Sequence, residues 1–166
     1  MPGTYGDILR LCLLTGQRRE KVASIKWGDI EGDLWTIATD TREKNTAGQL
    51  TLPPMALEII NRQPRFFSNP YVFAARKRYF TTWRNRNTLN ADWTVHDLRR
   101  TSRSLMSRAG IRPEIAERVL GHAIRGVEGV YDRHSYREEK AHALRALAGL
   151  IDNILRSPGE KVVSLH

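Results

Sequence analysis

Six side chains of the types needed to attack a phosphodiester are spread through the chain in short strings. They are Arg18 in Thr15-Gly16-Gln17-Arg18, Lys44 ahead of a small turn, His96 and Arg99 in His96-Asp97-Leu98-Arg99, His122 in Leu120-Gly121-His122, and Tyr131 nine residues after His122. Two arginines, a lysine and two imidazoles can hold a phosphodiester, neutralise the charge of its transition state and handle protons. A phenol can then attack covalently, with no metal ion needed.

Each residue also has an ordinary structural reading. His-x-x-Arg fits a capping-region histidine beside a solvated arginine. Arg18 next to Arg19 fits a surface pair, Lys44 an exposed turn lysine and His122 a helix C-cap. Tyr131 fits a packing tyrosine, and Tyr136 is an equally placed alternative nucleophile. Metal ligation by His122, His134 and Asp132, or by His96 with Asp97, matches no close ligand pair such as His-x-x-x-His. No glycine-rich phosphate loop or dinucleotide fingerprint is present.

The elements that must position these groups are legible from periodicity and caps. Residues 5–14 read as a helix apolar nearly all round, closed by Gly16, and Arg18–Trp27 as a second short helix. Asp29–Glu31, Leu34–Thr39 and Gln49–Leu52 read as strands, with the polar connection between the last two placing Lys44 near a β-turn. Helices follow at Met55–Arg62, Lys77–Arg86, Val95–Ala109, Pro113–Leu120 and Tyr136–Leu155. Thr94 and Asp97 suit the start of the helix from Val95, Gly110 its end, and Pro113 and Gly121 the two ends of the next. Ser135 with Glu138 suggests a capping box for the last helix, whose stripe is Leu144, Leu147, Ile151 and Ile154. The fold class is therefore mainly α with a small antiparallel β-sheet, an α+β domain over residues 1–156, followed by a flexible tail over 157–166.

Composition narrows the partner. The 166 residues carry 27 Lys plus Arg against 18 Asp plus Glu, a formal charge of +9, and 40% are hydrophobic, enough for a core. The excess positive charge points to a polyanion, and because it is spread along the chain rather than gathered in a tail, nucleic acid is favoured over a membrane surface. Cys12 is the one cysteine, so there is no intramolecular disulfide or multi-thiolate zinc site, and among Leu11, Leu13 and Leu14 a buried thiol is expected. The start lacks the pattern of a signal peptide and no stretch is long and apolar enough to span a bilayer, so a soluble cytoplasmic protein is expected.

Taken in order, Thr15-Gly16-Gln17-Arg18, Arg42-Glu43-Lys44-Asn45, His96-Asp97-Leu98-Arg99-Arg100-Thr101, Leu120-Gly121-His122 and Val130-Tyr131 resemble the catalytic domain of the tyrosine recombinases, the phage integrase family, over roughly residues 5 to 145. The resemblance implies a site-specific recombinase of phage or genomic-island type, bacterial or phage-encoded and nucleoid-associated, that breaks and rejoins double-stranded DNA with no cofactor. It makes Arg18 and Arg99 the clamp on the scissile phosphate. His96 and His122 become its hydrogen-bond and proton partners, Lys44 the donor to the departing 5′ oxygen, and Tyr131 the nucleophile that forms a 3′-phosphotyrosyl link. It also implies a tetramer on paired recombination sites, with a monomer as the state of the free chain. A DNA-clamping N-terminal domain usual in the family is expected to lie outside this sequence. Lys21 stands where many relatives carry an acidic residue. The rival readings are a catalytically silent DNA-binding module and a metal-dependent phosphohydrolase.

Overall fold

The computed structural model describes residues 3–38, 47–73, 93–122 and 134–157. In chain order the elements are α1 (Thr4–Thr15), α2 (Arg19–Ala23), a 3₁₀ turn (Trp27–Asp29), β1 (Ile30–Glu31), β2 (Leu34–Thr36), β3 (Gln49–Thr51), α3 (Pro54–Asn61), α4 (Val95–Arg108), α5 (Pro113–Leu120) and α6 (Arg137–Arg156). The expected helix over Lys77–Arg86 lies outside the described residues, as do Lys44, Tyr131 and the tail from residue 158. Among the described residues no helix is long and apolar enough to cross a membrane.

The architecture is mainly helical with one antiparallel sheet in the order β1-β2-β3. Leu34 pairs with Thr51, Trp35 with Leu50 and Thr36 with Gln49. Period-two alternation puts Trp35 and Leu50 on the inner face, both at most 1% exposed, and β3 packs against α6. Helix α1 is central, contacting α2, α3, α4 and α6, which is why its apolar residues run most of the way round. Cys12 is buried within it, and burial pushes its thiol pKa up to about 12, so it is inert as a nucleophile at neutral pH.

Where α1 turns to face α3 it buries Asp7, whose carboxylate accepts hydrogen bonds from Arg10, Arg62 and the Gln63 amide. Where it meets α4 it packs against Ser102, whose Oγ lies 2.7 Å from the carbonyl oxygen of Leu13, a contact a larger residue would prevent. Gly16 then ends α1 at φ +64°. A Cβ at this position would stand 2.7 Å from Leu120 Cδ2. Gly16→Ala therefore combines left-handed strain with a clash against the end of α5, and we expect a loss of about 1–3 kcal/mol. Thermal melting checks this, since each kcal/mol lowers Tm by roughly 2–4 °C for a chain of this size.

Three expectations are corrected. The second helix stops at Ala23 instead of Trp27 because the chain turns extended at Lys26 to pair with a distant segment: Val72 N–H donates to Ile25 O, Trp27 N–H donates to Pro70 O, and Lys26 bridges Tyr71. Local helical pattern loses there to a long-range ladder. The last helix is not capped by Ser135; it starts after Tyr136, which sits at φ +50° with its ring 3.8 Å from the Arg118 guanidinium. That stacking fixes how the chain comes into α6. Its apolar stripe also ends at Ile151, with Ile154 exposed, because no described element covers the final turn.

Candidate active site

Helix α4 begins at a capping box in which the Asp97 carboxylate accepts from the N–H and the hydroxyl of Thr94. The backbone hydrogen bond from Thr94, followed by the one from its hydroxyl, holds the Asp97 carboxyl below the usual carboxylate range. This cap sets the phase of the helix, and the phase aims Arg99 inward. The residue is only 5% exposed. Its Nη1 donates to Gly16 O at 2.7 Å and its Nη2 to Leu120 O at 2.7 Å. Both acceptors belong to helix C-termini that end at left-handed glycines, Gly16 for α1 and Gly121 for α5. Carbonyls left unpaired at helix ends, with the negative pole of each helix dipole, are natural partners for a guanidinium.

Gln17 adds a second staple between the same two turns. It is buried, and its Nε2 donates to Val119 O at 2.6 Å and to Thr15 O at 3.2 Å. The turns carrying Arg18 and His122 are thereby fixed side by side. Arg18 and His122 each lie two residues beyond an acceptor of Arg99, within about 7 Å along the chain. Burial first, and then the positive charge of Arg18, pull the Arg99 pKa down to about 10, with Glu117 opposing. Arg99 remains charged at neutral pH, and the repulsion means that folding gathers two guanidiniums at one place. A dianionic or monoanionic oxyacid relieves it.

His122 leaves the α5 turn with its side chain 43% exposed. Its Nδ1 lies 2.5 Å from Glu117 Oε2, while the other oxygen of Glu117 accepts from Arg103 Nε at 2.7 Å. An ionised carboxylate only accepts, so Nδ1 carries the proton and Nε2 is the atom presented outward. His96 stands one turn ahead of Arg99 on α4, exposed, with its Cβ about 5–6 Å from that of Arg99 by helical geometry. Arg99 is buried and His96 exposed, with both on the same side of α4 near its start. Among the described residues no three His, Cys, Asp or Glu side chains are placed to hold a metal ion.

Residues 5–138 match the phage integrase family. This chain belongs to that family. No curated protein and no solved structure matches it. Phage integrases are site-specific tyrosine recombinases, and the family implies DNA as the partner of this chain. The Arg99 clamp, Arg18 and His122 all fall inside the matched span.

Two residues of this candidate site escaped sequence reasoning. Glu117 is five positions before His122, a spacing that marks no helix face, and Gln17 reads as turn filler until Val119 is beside it. Glu117 also sets an acid limit together with Asp7. Burial alone would raise both pKa values, but hydrogen bonds from Arg62 and Gln63 at Asp7, and from Arg103 and His122 at Glu117, outweigh it and hold both carboxyls below their ordinary values of 3.8 and 4.5. A lowered folded pKa contributes stability that is complete above the unfolded pKa and is lost as pH falls through the folded one. We therefore expect Tm to fall in the acid range below those ordinary values. Asp7→Asn should flatten that fall in a melting series, and an unchanged acid slope would count against the Asp7 contribution.

Proposed function

We propose that residues 1–156 form the catalytic domain of an integrase that cuts and rejoins double-stranded DNA for phage or genomic-island integration and excision. The observation that carries this reading is the Arg99 guanidinium seated between the Gly16 and Leu120 carbonyls, with Arg18 and His122 on the two turns it joins. The forked group has five N–H donors, two of them spent on those carbonyls. The remaining donors, with Arg18 and the Nε2–H of a His122 ring that carries both protons, suit the non-bridging oxygens of one phosphate.

In the proposed step the Tyr131 oxygen attacks phosphorus and the P–O5′ bond breaks. His96 takes the phenolic proton, and Lys44 delivers one to the departing 5′ oxygen. The product is a 3′-phosphotyrosyl link and a free 5′-hydroxyl, and attack by a second 5′-hydroxyl reverses the step on a new partner strand. The packing of Tyr136 supports Tyr131 as nucleophile: the Tyr136 ring is held against Arg118 and meets His134 edge-on at 4.6 Å. Assembly as a tetramer on paired DNA sites and a cytoplasmic, nucleoid-associated location complete the proposal.

The test is a nicked duplex that loses its short 5′-hydroxyl fragment after cleavage and so traps the covalent state. The expected result is an SDS-stable protein–DNA adduct in EDTA. A silent DNA-binding module gives no adduct, and a metal-dependent phosphohydrolase gives metal-dependent product without one. In the same assay Glu117→Gln should slow single-turnover cleavage by about 10- to 100-fold, part of the range for general acid–base catalysis, because the amide can hold His122 in the wrong tautomer. Unchanged cleavage would remove Glu117 from the site.

A further inference from the structure

Helix α4 holds the end of α5 at two points. Arg99 does so through Nη2, which donates to Leu120 O at 2.7 Å. Arg103 lies one helical turn further along α4 and so on the same face, and its Nε donates to Glu117 Oε1 at 2.7 Å. The other oxygen of Glu117 lies 2.5 Å from His122 Nδ1. His122 is also fixed through its backbone, because its N–H donates to Glu117 O at 3.0 Å. A line of polar contacts therefore runs from Arg103 on α4, through Glu117 on α5, to the imidazole that leaves the Gly121 turn.

A glutamate that had only to accept from Nδ1 could use either oxygen, and its carboxylate turns easily about the last side-chain bond. Arg103 removes that freedom: the oxygen it holds leaves the other one facing the ring. Stability does not account for the arrangement. The Arg103, Glu117 and His122 side chains are 29%, 34% and 43% exposed, and ion pairs open to water to that extent add little to the folded state. Burial tends to raise the Glu117 pKa, and the hydrogen bond from Arg103 is the strongest influence that lowers it, ahead of the one from His122. Arg99, on the same face of α4, is a further charge that Glu117 acts upon. Arg103 thus keeps the carboxylate both ionised and turned toward Nδ1.

We propose that Arg103 is a positioning residue of the cleavage reaction: acting through Glu117, it sets the orientation of the His122 ring, so that the ring keeps Nε2 directed outward for its contact with the phosphate. This rests on the recombinase reading of His122. A guanidinium suits the task because its N–H groups are fixed in one plane and hold a carboxylate in a defined direction, whereas an ammonium supplies charge without that direction. Displacing a catalytic group by about 1 Å can cost on the order of 100-fold in rate. Loss of Arg103 should therefore be felt in the rate far more than in the fold.

The experiment is a double-mutant cycle in the full chain, read as single-turnover cleavage of the nicked duplex by Arg103→Met, Glu117→Gln and the two combined, with Arg103→Lys beside them. Arg103→Met should cleave roughly 10- to 100-fold more slowly, with Tm lowered by no more than about 4 °C. The combined variant should cleave no more slowly than Glu117→Gln, since Arg103 has nothing left to orient once that carboxylate is gone. Arg103→Lys, which keeps the charge and a donor, should regain part of the loss. If Arg103→Met does not fold, Arg103→Lys takes its place in the cycle with the same reading. Losses that multiply in the combined variant mean that Arg103 acts independently of Glu117, as a direct DNA contact or a support of the fold would, and they overturn the proposal. Parental cleavage by Arg103→Met overturns it as well. Should Glu117→Gln itself cleave at the parental rate, the reading of His122 falls. The nitrogen NMR spectrum of histidine-labelled protein, with the His122 signals identified by their loss in His122→Asn, then decides the pin alone: faster exchange of the Nδ1 proton in Arg103→Met sustains it, and unchanged exchange ends it.

Discussion

Arg99→Ala abolishes strand cleavage and melts at a lower temperature than the parent: this is the largest effect we expect from any single substitution in the described site. Its catalytic part comes from removing preorganised donors aimed at the charge that grows on the phosphate oxygens, worth on the order of 100- to 1,000-fold for a single donor and more for a forked group. Its structural part comes from Gly16 O and Leu120 O, which both lose their partner in a buried setting. Leaving such acceptors unpaired costs about 1–3 kcal/mol each, less whatever water can enter the space. Arg99→Lys separates the two parts. It keeps the charge, but an ammonium on a flexible stem cannot reach two carbonyls and a phosphate in one plane. We expect its cleavage to stay far below the parent while binding at low salt is largely retained. Single-turnover rates and melting curves for both variants check this, and a near-parental rate for either one would remove Arg99 from the phosphate.

The second large effect is chemical and should leave the fold alone. Tyr131→Phe deletes one oxygen, the atom that would carry the covalent link, so no adduct should form at any time or enzyme concentration. DNA affinity should stay close to normal, because affinity comes mainly from the basic side chains that displace counterions. Tyr136→Phe is the matched control. Its ring would still stack on Arg118, and the adduct should persist. If the outcomes are exchanged, with adduct surviving in Tyr131→Phe and lost in Tyr136→Phe, the nucleophile is Tyr136 and its packing must open on DNA.

The two variants probe opposite kinds of knowledge. Tyr131 was selected through the resemblance to the tyrosine recombinases and lies outside the described residues. Arg99 was assigned to the phosphate by the same resemblance, and the structure gives it surroundings that the sequence did not show. It is a buried fork that joins two helix ends, where sequence had suggested a surface group beside His96. Lys21 changed in the same way, from a departure in the family pattern to the donor that holds Ala38.

Helix starts and stops were readable because their causes are local: Thr94 with Asp97, Pro113, Gly16 and Gly121 act within one turn, and the alternation of Trp35 and Leu50 needs only neighbouring residues. The sequence by itself also determined the basic charge and the order of the site strings. Tertiary structure alone decided that α2 ends early, since its competitor is Val72, and that Arg99 meets carbonyls 83 and 21 positions away. Which distant groups meet depends on packing all the elements at once. A cap or a periodic stripe acts over a single turn of chain and carries no record of what will lie across from it.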